Sequence, residues 1–173
     1  VGAAPELDIA RWFNSAPLSL AALRGRVVAI GAFQMLCPGC VANGLPQLQR
    51  IYELFPKEAV AVIGLHSVFE HHAAMTSVSL EPFLHEYRIA FPVAVDRHDD
   101  PAGMPVTMAR YGLRGTPSLL LIDRQGRLRL HRFGHVPDLA VGAAIQQLLD
   151  EREGAIPSAG EEGEVCAVGG GCG

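Results

Sequence analysis

No apolar run in the 173-residue chain approaches the length that spans a bilayer. The longest, around Val27–Phe33 and Leu119–Ile122, are strand-sized. Basic charge is also scarce. The formal net charge is −4 and no basic stripe is present, which argues against nucleic acid as a partner. Lys57 is the only lysine among 14 Lys and Arg residues, which reads as a coding bias without functional content. Residues Val1 to Asp8 lack the basic start and long apolar segment of a signal peptide. The expected location is therefore cytoplasmic, or periplasmic or exported where a signal has been removed from a chain that begins with Val. The cysteines do not form a spread-out framework. There are four, with Cys37 and Cys40 near the start and Cys166 and Cys172 in the tail. A disulfide-stapled secreted domain would distribute them through the fold, so redox or metal chemistry is expected instead.

What is present fits one globular domain with its own core, since 49% of residues are hydrophobic and 18% charged. Ser15–Gly25 reads as a capped helical turn entering a strand over Arg26–Phe33. From Pro38 to about Leu54, Val41, Leu45, Leu48, Ile51 and Leu54 recur at helical spacing, with Pro46 expected to kink the helix. Ala59–Leu65 reads as a buried parallel strand and Thr76–Tyr87 as a helix with Leu80, Phe83, Leu84 and Tyr87 on one face. A short strand over Phe91–Val95 and a short helix over Met104–Tyr111, ended by Gly112, follow. Ser118–Asp123 and Arg127–Phe133 read as strands of a hairpin, and Pro137–Glu151 as a closing helix. The pattern predicts an α/β fold: a mostly parallel central sheet with an antiparallel edge hairpin and helices on both faces. The domain is expected to span residues 1–151, with a flexible Gly/Glu-rich tail over 152–173.

The chemistry centres on Cys37-Pro38-Gly39-Cys40, placed where a strand ends and a helix begins. A helix N-terminus presents unpaired N–H groups and partial positive charge, which stabilise a thiolate and lower a cysteine pKa from its free value of about 8.5. Two intervening residues let the sulfurs meet, and Pro38 suits the first helical turn. Cys37, at the helix cap, is the expected nucleophile, and Cys40, one turn in, the resolving thiol. The competing metal reading is weaker. A zinc site needs about four ligands and one C-x-x-C supplies two. No cofactor or metal is expected. Gly115-Thr116-Pro117 precedes a buried strand, a setting for a cis peptide bond, although a proline also starts many strands.

Val27-Val28-Ala29-Ile30-Gly31-Ala32-Phe33 leading into Cys37-Pro38-Gly39-Cys40 resembles the thioredoxin superfamily. Tyr87-Arg88-Ile89-Ala90-Phe91-Pro92-Val93, Tyr111-Gly112-Leu113-Arg114-Gly115-Thr116-Pro117 and Leu121-Ile122-Asp123-Arg124-Gln125-Gly126-Arg127 share that resemblance. The similarity is to its TlpA-like disulfide reductases. Trp12-Phe13-Asn14, Pro17-Leu18-Ser19-Leu20, Leu23-Arg24-Gly25 and Ile63-Gly64-Leu65-His66-Ser67 also resemble thioredoxin-like domains joined to NHL-repeat propellers. The resemblance implies a thioredoxin fold with a cis Thr116–Pro117 bond facing the cysteines. It implies a thiol–disulfide oxidoreductase, a disulfide reductase, whose Leu36, Pro38, Gly39, Thr116 and Pro117 bind substrate. Partners would be a protein or small-molecule disulfide and an upstream reductant such as a thioredoxin reductase or a membrane electron donor. His66 and Ser67 should lie on the cysteine edge.

Three departures stand out. Leu36 occupies the usual tryptophan position. Gly31 and Asn43 stand where relatives carry a buried acid. Pro46 falls six residues after Cys40, one more than in thioredoxins. That spacing, with Ala32-Phe33 and Leu45-Pro46, also resembles some peroxiredoxins, in which Cys40 would be the peroxidatic cysteine. The tail pair Cys166 and Cys172 offers an accessory redox shuttle, a soft-metal site or incidental thiols. A flexible chain from Arg152 to Cys172 averages roughly 25 Å end to end and could reach the active site. His66, His71, His72, His98, His131 and His135 are spread over several loops without ligand spacing, and they and the acidic group Asp96, Asp99 and Asp100 are expected on solvated surfaces.

Overall fold

The computed structural model describes residues 2–101 and 103–151. Cys166, Cys172 and the predicted tail over 152–173 lie outside the described residues. Six strands form one sheet: β1 (Ile9–Phe13), β2 (Val27–Phe33), β3 (Val60–His66), β4 (Val93–Asp96), β5 (Ser118–Ile122) and β6 (Leu128–Phe133). Their order is β1-β4-β3-β2-β5-β6. The centre, β2–β3–β4, is parallel, and both flanks are antiparallel: β1 on β4, and β5 and β6 beyond β2. The edge hairpin was expected. The antiparallel β1 was not, because Ile9-Ala10-Arg11-Trp12-Phe13 carries no clean alternation.

Period-two patterning divides the core. On β2, Val27, Ala29 and Phe33 face one cluster, with Leu45, Leu48, Ile51, Leu80, Leu84, Val141 and Ile145. These come from α1 (Leu45–Leu54), α2 (Ser77–Glu86) and α4 (Asp138–Asp150). Val28, Ile30 and Ala32 face the other, with Leu20, Leu23, Met108, Tyr111 and Leu113, around α3 (Val106–Arg110) and the N-terminal segment. Helices therefore cover both faces, and each fully buried Leu or Ile contributes about 1.5–3 kcal/mol. The predicted helical faces hold only in part, because Leu54 and Tyr87 are exposed. Residues 20–25 form the expected capped turn leading into β2, with Leu23 N–H donating to Ser19 O. The Glu6 carboxylate accepts from the Leu20 and Ala21 N–H groups, and the Ser19 hydroxyl from Ala22 N–H.

The segment before α1 departs most from an ordinary helix. Helical backbone begins at Pro38, widens into a π segment over Cys40–Gly44 and continues as α1. Pro46 cannot donate to the carbonyl four residues earlier, and the wider turn just before it accommodates that loss. No helix among the described residues is long and apolar enough to cross a membrane.

Candidate active site

Cys37 and Cys40 sit on the turn that joins β2 to this helical segment. The Cys37 N–H donates to Gln34 O at 3.2 Å, and Cys40 and Val41 N–H donate to Cys37 O at 3.0 and 3.1 Å. The Gln34 side chain, 1% exposed, anchors this turn to the loop after β3. Its Nε2 donates to Glu70 Oε1, and its Oε1 accepts from Phe69 N–H. Met75 Sδ accepts from Leu36 N–H at 3.5 Å. Gln34 and Met75 carry no motif signal, and only the fold reveals their contribution.

The two thiols differ sharply. Both are free, with Cys37 half-buried and Cys40 fully buried. The Cys37 thiol donates to Thr116 O at 3.5 Å, and its sulfur accepts the Cys40 N–H at 3.3 Å. Burial pushes the Cys40 thiol up to about 12, and the neighbouring Cys37 sulfur adds to the rise.

Thr116–Pro117 is a cis peptide bond. Pro117 lies directly on the cysteine helix. A Cβ on Gly44 would stand 3.2 Å from Pro117 Cβ, and one on Gly39 would stand 3.4 Å from Pro117 Cδ. Glycine at 44 lets the proline approach this closely, while a Cβ at 39 would make ordinary contact with it. Leu36 is 58% exposed beside Cys37, with Pro38 exposed and Gly39, Thr116 and Pro117 partly so. The fold thus gathers Leu36, Cys37, Pro38, Gly39, Cys40, Thr116 and Pro117 at one place from two distant stretches of chain. Gly31 has a packing reason for lacking a side chain. A Cβ there would come within 2.5 Å of Leu48 Cδ1, so Leu48 fills the space a carboxylate would need.

The surface reading of the remaining polar residues requires correction. His71, His131 and His135 are exposed, but His66 is 1% exposed and packs against Phe33, ring centroids 5.1 Å apart. Burial, assisted by His98, lowers its pKa to about 4. His72 and His98 also meet, with centroids 5.7 Å apart. Asp96 is no solvated loop residue. It is 1% exposed and accepts from Ser67 Oγ, Thr107 N–H and Met108 N–H. Burial raises its pKa despite those bonds. Among the described residues no group of three or more His, Cys, Asp or Glu side chains is arranged to hold a metal ion.

A sequence model of the AhpC/TSA family matches residues 3–131. Among solved structures, a thioredoxin-like superfamily protein is 60% identical, with a TM-score of 0.85, over 88% of this chain and 99% of that one. A thiol-disulfide isomerase from Corynebacterium glutamicum is 49% identical, with a TM-score of 0.81, over 86% of this chain and 98% of that one. Among curated relatives, the protein DipZ of Mycobacterium bovis is 28% identical over 154 residues. That match covers 87% of this chain and 21% of DipZ, so the chain spans about a fifth of that relative's length.

Proposed function

The chain belongs to the AhpC/TSA family, as a TlpA-like member of the thioredoxin superfamily with an oxidoreductase role, and from that premise we propose that it reduces disulfides through Cys37 and Cys40. The observation that carries this reading is the asymmetry of the thiols. One is reachable and accepts a backbone N–H, and the other is sealed beneath it.

The Cys37 thiolate attacks one sulfur of a substrate disulfide. A mixed disulfide to Cys37 forms, the substrate S–S bond breaks, and one substrate thiolate leaves. That thiolate is a suitable acceptor for the Cys40 proton, since a group pushed to about 12 stays protonated at rest. Cys40 then attacks the Cys37 sulfur. The Cys37–Cys40 disulfide forms, the second substrate thiol is released, and two electrons have passed to substrate. A donor dithiol, from a reductase or a membrane electron donor, restores the pair. Leu36, Pro38, Gly39 and Pro117 form the apolar lip on which substrate rests, and the Thr116 backbone pairs with it as an added strand.

Burial and the raised pKa of Cys40 favour Cys37 over Cys40 as the first thiol to react, and so favour disulfide exchange over a peroxidase using Cys40. The test is insulin reduction with dithiothreitol. The wild type should accelerate it, and Cys37→Ser should fall to the uncatalysed rate. Cys40→Ser should accumulate a mixed disulfide at Cys37, seen as added mass. Inactive wild type overturns the reading. So does rapid sulfenic acid formation on Cys40 of Cys37→Ser under stoichiometric peroxide, which would support the peroxidase instead.

A further inference from the structure

Beside the dithiol, the ends of β3 and β4, the loop after β3 and the start of α2 enclose a cleft of about 250 Å³. His66, His72, His98, Thr76 and Ser77 line it, with Val68, Met75 and Val95 as apolar wall. The Nε2 atoms of His66 and His72 are both buried and have no protein partner among the described residues. That is unusual, because buried polar atoms in folded proteins are nearly always paired. His66 is 1% exposed, and its ring lines the cleft. His98 is already engaged through Nε2, 2.6 Å from Val68 O. Since a carbonyl only accepts, that nitrogen carries the proton.

The other polar groups at this wall are donors or can be. Thr76 caps α2, its Oγ1 accepting from Ser79 N–H, and the first N–H groups of the helix have no intrahelical carbonyl. A ten-residue helix therefore ends its positive pole at the cleft where two imidazoles can present N–H groups. The one carboxylate in the lining, Asp96, has both oxygens engaged: Oδ1 by Thr107 N–H, and Oδ2 by Met108 N–H and Ser67 Oγ. The cleft also shares a wall with the reactive turn, since Met75, which lines it, accepts the N–H of Leu36, the residue before Cys37.

We propose that this cleft is a carboxylate-binding subsite that holds an acidic group of the disulfide substrate through His66, His72 and the N-terminus of α2. The proposal rests on the dithiol reading above for its purpose, but not for its binding.

Binding is tested by following the imidazole resonances of the wild-type protein during addition of glutarate, with neutral glutaramide as control. Saturable shifts at His66 and His72 with glutarate alone are expected, and their loss in His72→Phe. Absence of shifts, or equal shifts with glutaramide, overturns the subsite. Turnover is tested with 3,3′-dithiodipropionate and its neutral diamide, each rate divided by its uncatalysed rate with dithiothreitol. The wild type should prefer the dianion by about tenfold, the range of one charge-assisted hydrogen bond. His72→Phe should abolish the preference and leave the diamide rate within about twofold. Equal wild-type rates on both disulfides overturn the subsite and leave the dithiol reading standing. Failure to reduce either disulfide or insulin overturns the dithiol reading, while the glutarate titration still decides the subsite.

Discussion

Asp123 and His66 are buried to nearly the same degree at opposite ends of the sheet, 2% and 1% exposed, yet their surroundings differ completely. Asp123 opens the β5–β6 turn, and its oxygens accept from Gln125 N–H, Arg127 N–H and the Arg127 and Arg129 guanidiniums. Burial alone would raise its pKa, but the Arg127 backbone bond and the two guanidiniums outweigh it and hold the carboxyl below its usual range. His66 faces a cleft with Nε2 unpaired by protein. A buried polar group with every lone pair engaged locks a turn. One left open among buried neighbours costs stability unless something from outside engages it. Asp123 has both oxygens engaged, whereas His66 keeps unspent bonding capacity.

The largest effect that could break this contrast is at Asp123. Asp123→Ala strands two arginines and frees the turn, and should cost about 3 kcal/mol, reduced from a fully buried pair because both guanidiniums are partly exposed. Urea unfolding measures it, and the native fraction should keep the wild-type insulin-reduction rate. A loss of rate in folded protein would mean that the hairpin end also serves the reaction.

Acid should separate the two regions next. The folded pKa of His66, about 4, lies below its unfolded value of 6.5. Between those values the unfolded chain takes up a proton that the fold refuses. Stability is therefore full above pH 6.5 and falls toward pH 4, by about 3 kcal/mol from this residue. Asp123, with a lowered pKa, loses its contribution only as pH falls below its unfolded value near 3.8. Asp96, with a raised pKa, acts with the opposite sign, losing stability as pH rises from that value. The clean measurement is thus wild type against His66→Phe in urea from pH 8 to pH 4. The variant should lack the decline between 6.5 and 4.

The smallest expected effect is that of His66→Phe at pH 8, where the imidazole is neutral and a ring of similar volume replaces it. Stability should stay within about 1.5 kcal/mol of wild type. A much larger loss would show that His66 is a structural anchor like Asp123.

The candidate dithiol motif was legible because its logic is local. A strand-sized run, then two cysteines three positions apart, then helical spacing need no tertiary information. The hairpin was legible for the same reason. β1 was not, because an edge strand with a broken alternation is defined by its partner β4, far along the chain. His66, His72, His98 and Asp96 looked like scattered surface residues because their sequence spacing matches no ligand pattern. They meet because parallel β3 and β4 end at the same edge, with His66 registered on Val95 next to Asp96. Gly31 read as a missing acid, and only the position of Leu48 shows that a side chain there would have to displace its buried neighbour.

By itself, then, the sequence determined the α/β class of the fold and singled out Cys37 and Cys40 as the candidate dithiol, because both follow from patterns a few residues long. The tertiary structure alone decided that Asp96 is buried and that three histidines share a cleft. Burial and contact between distant segments depend on how strands stack and helices close over them, and no local spacing encodes that.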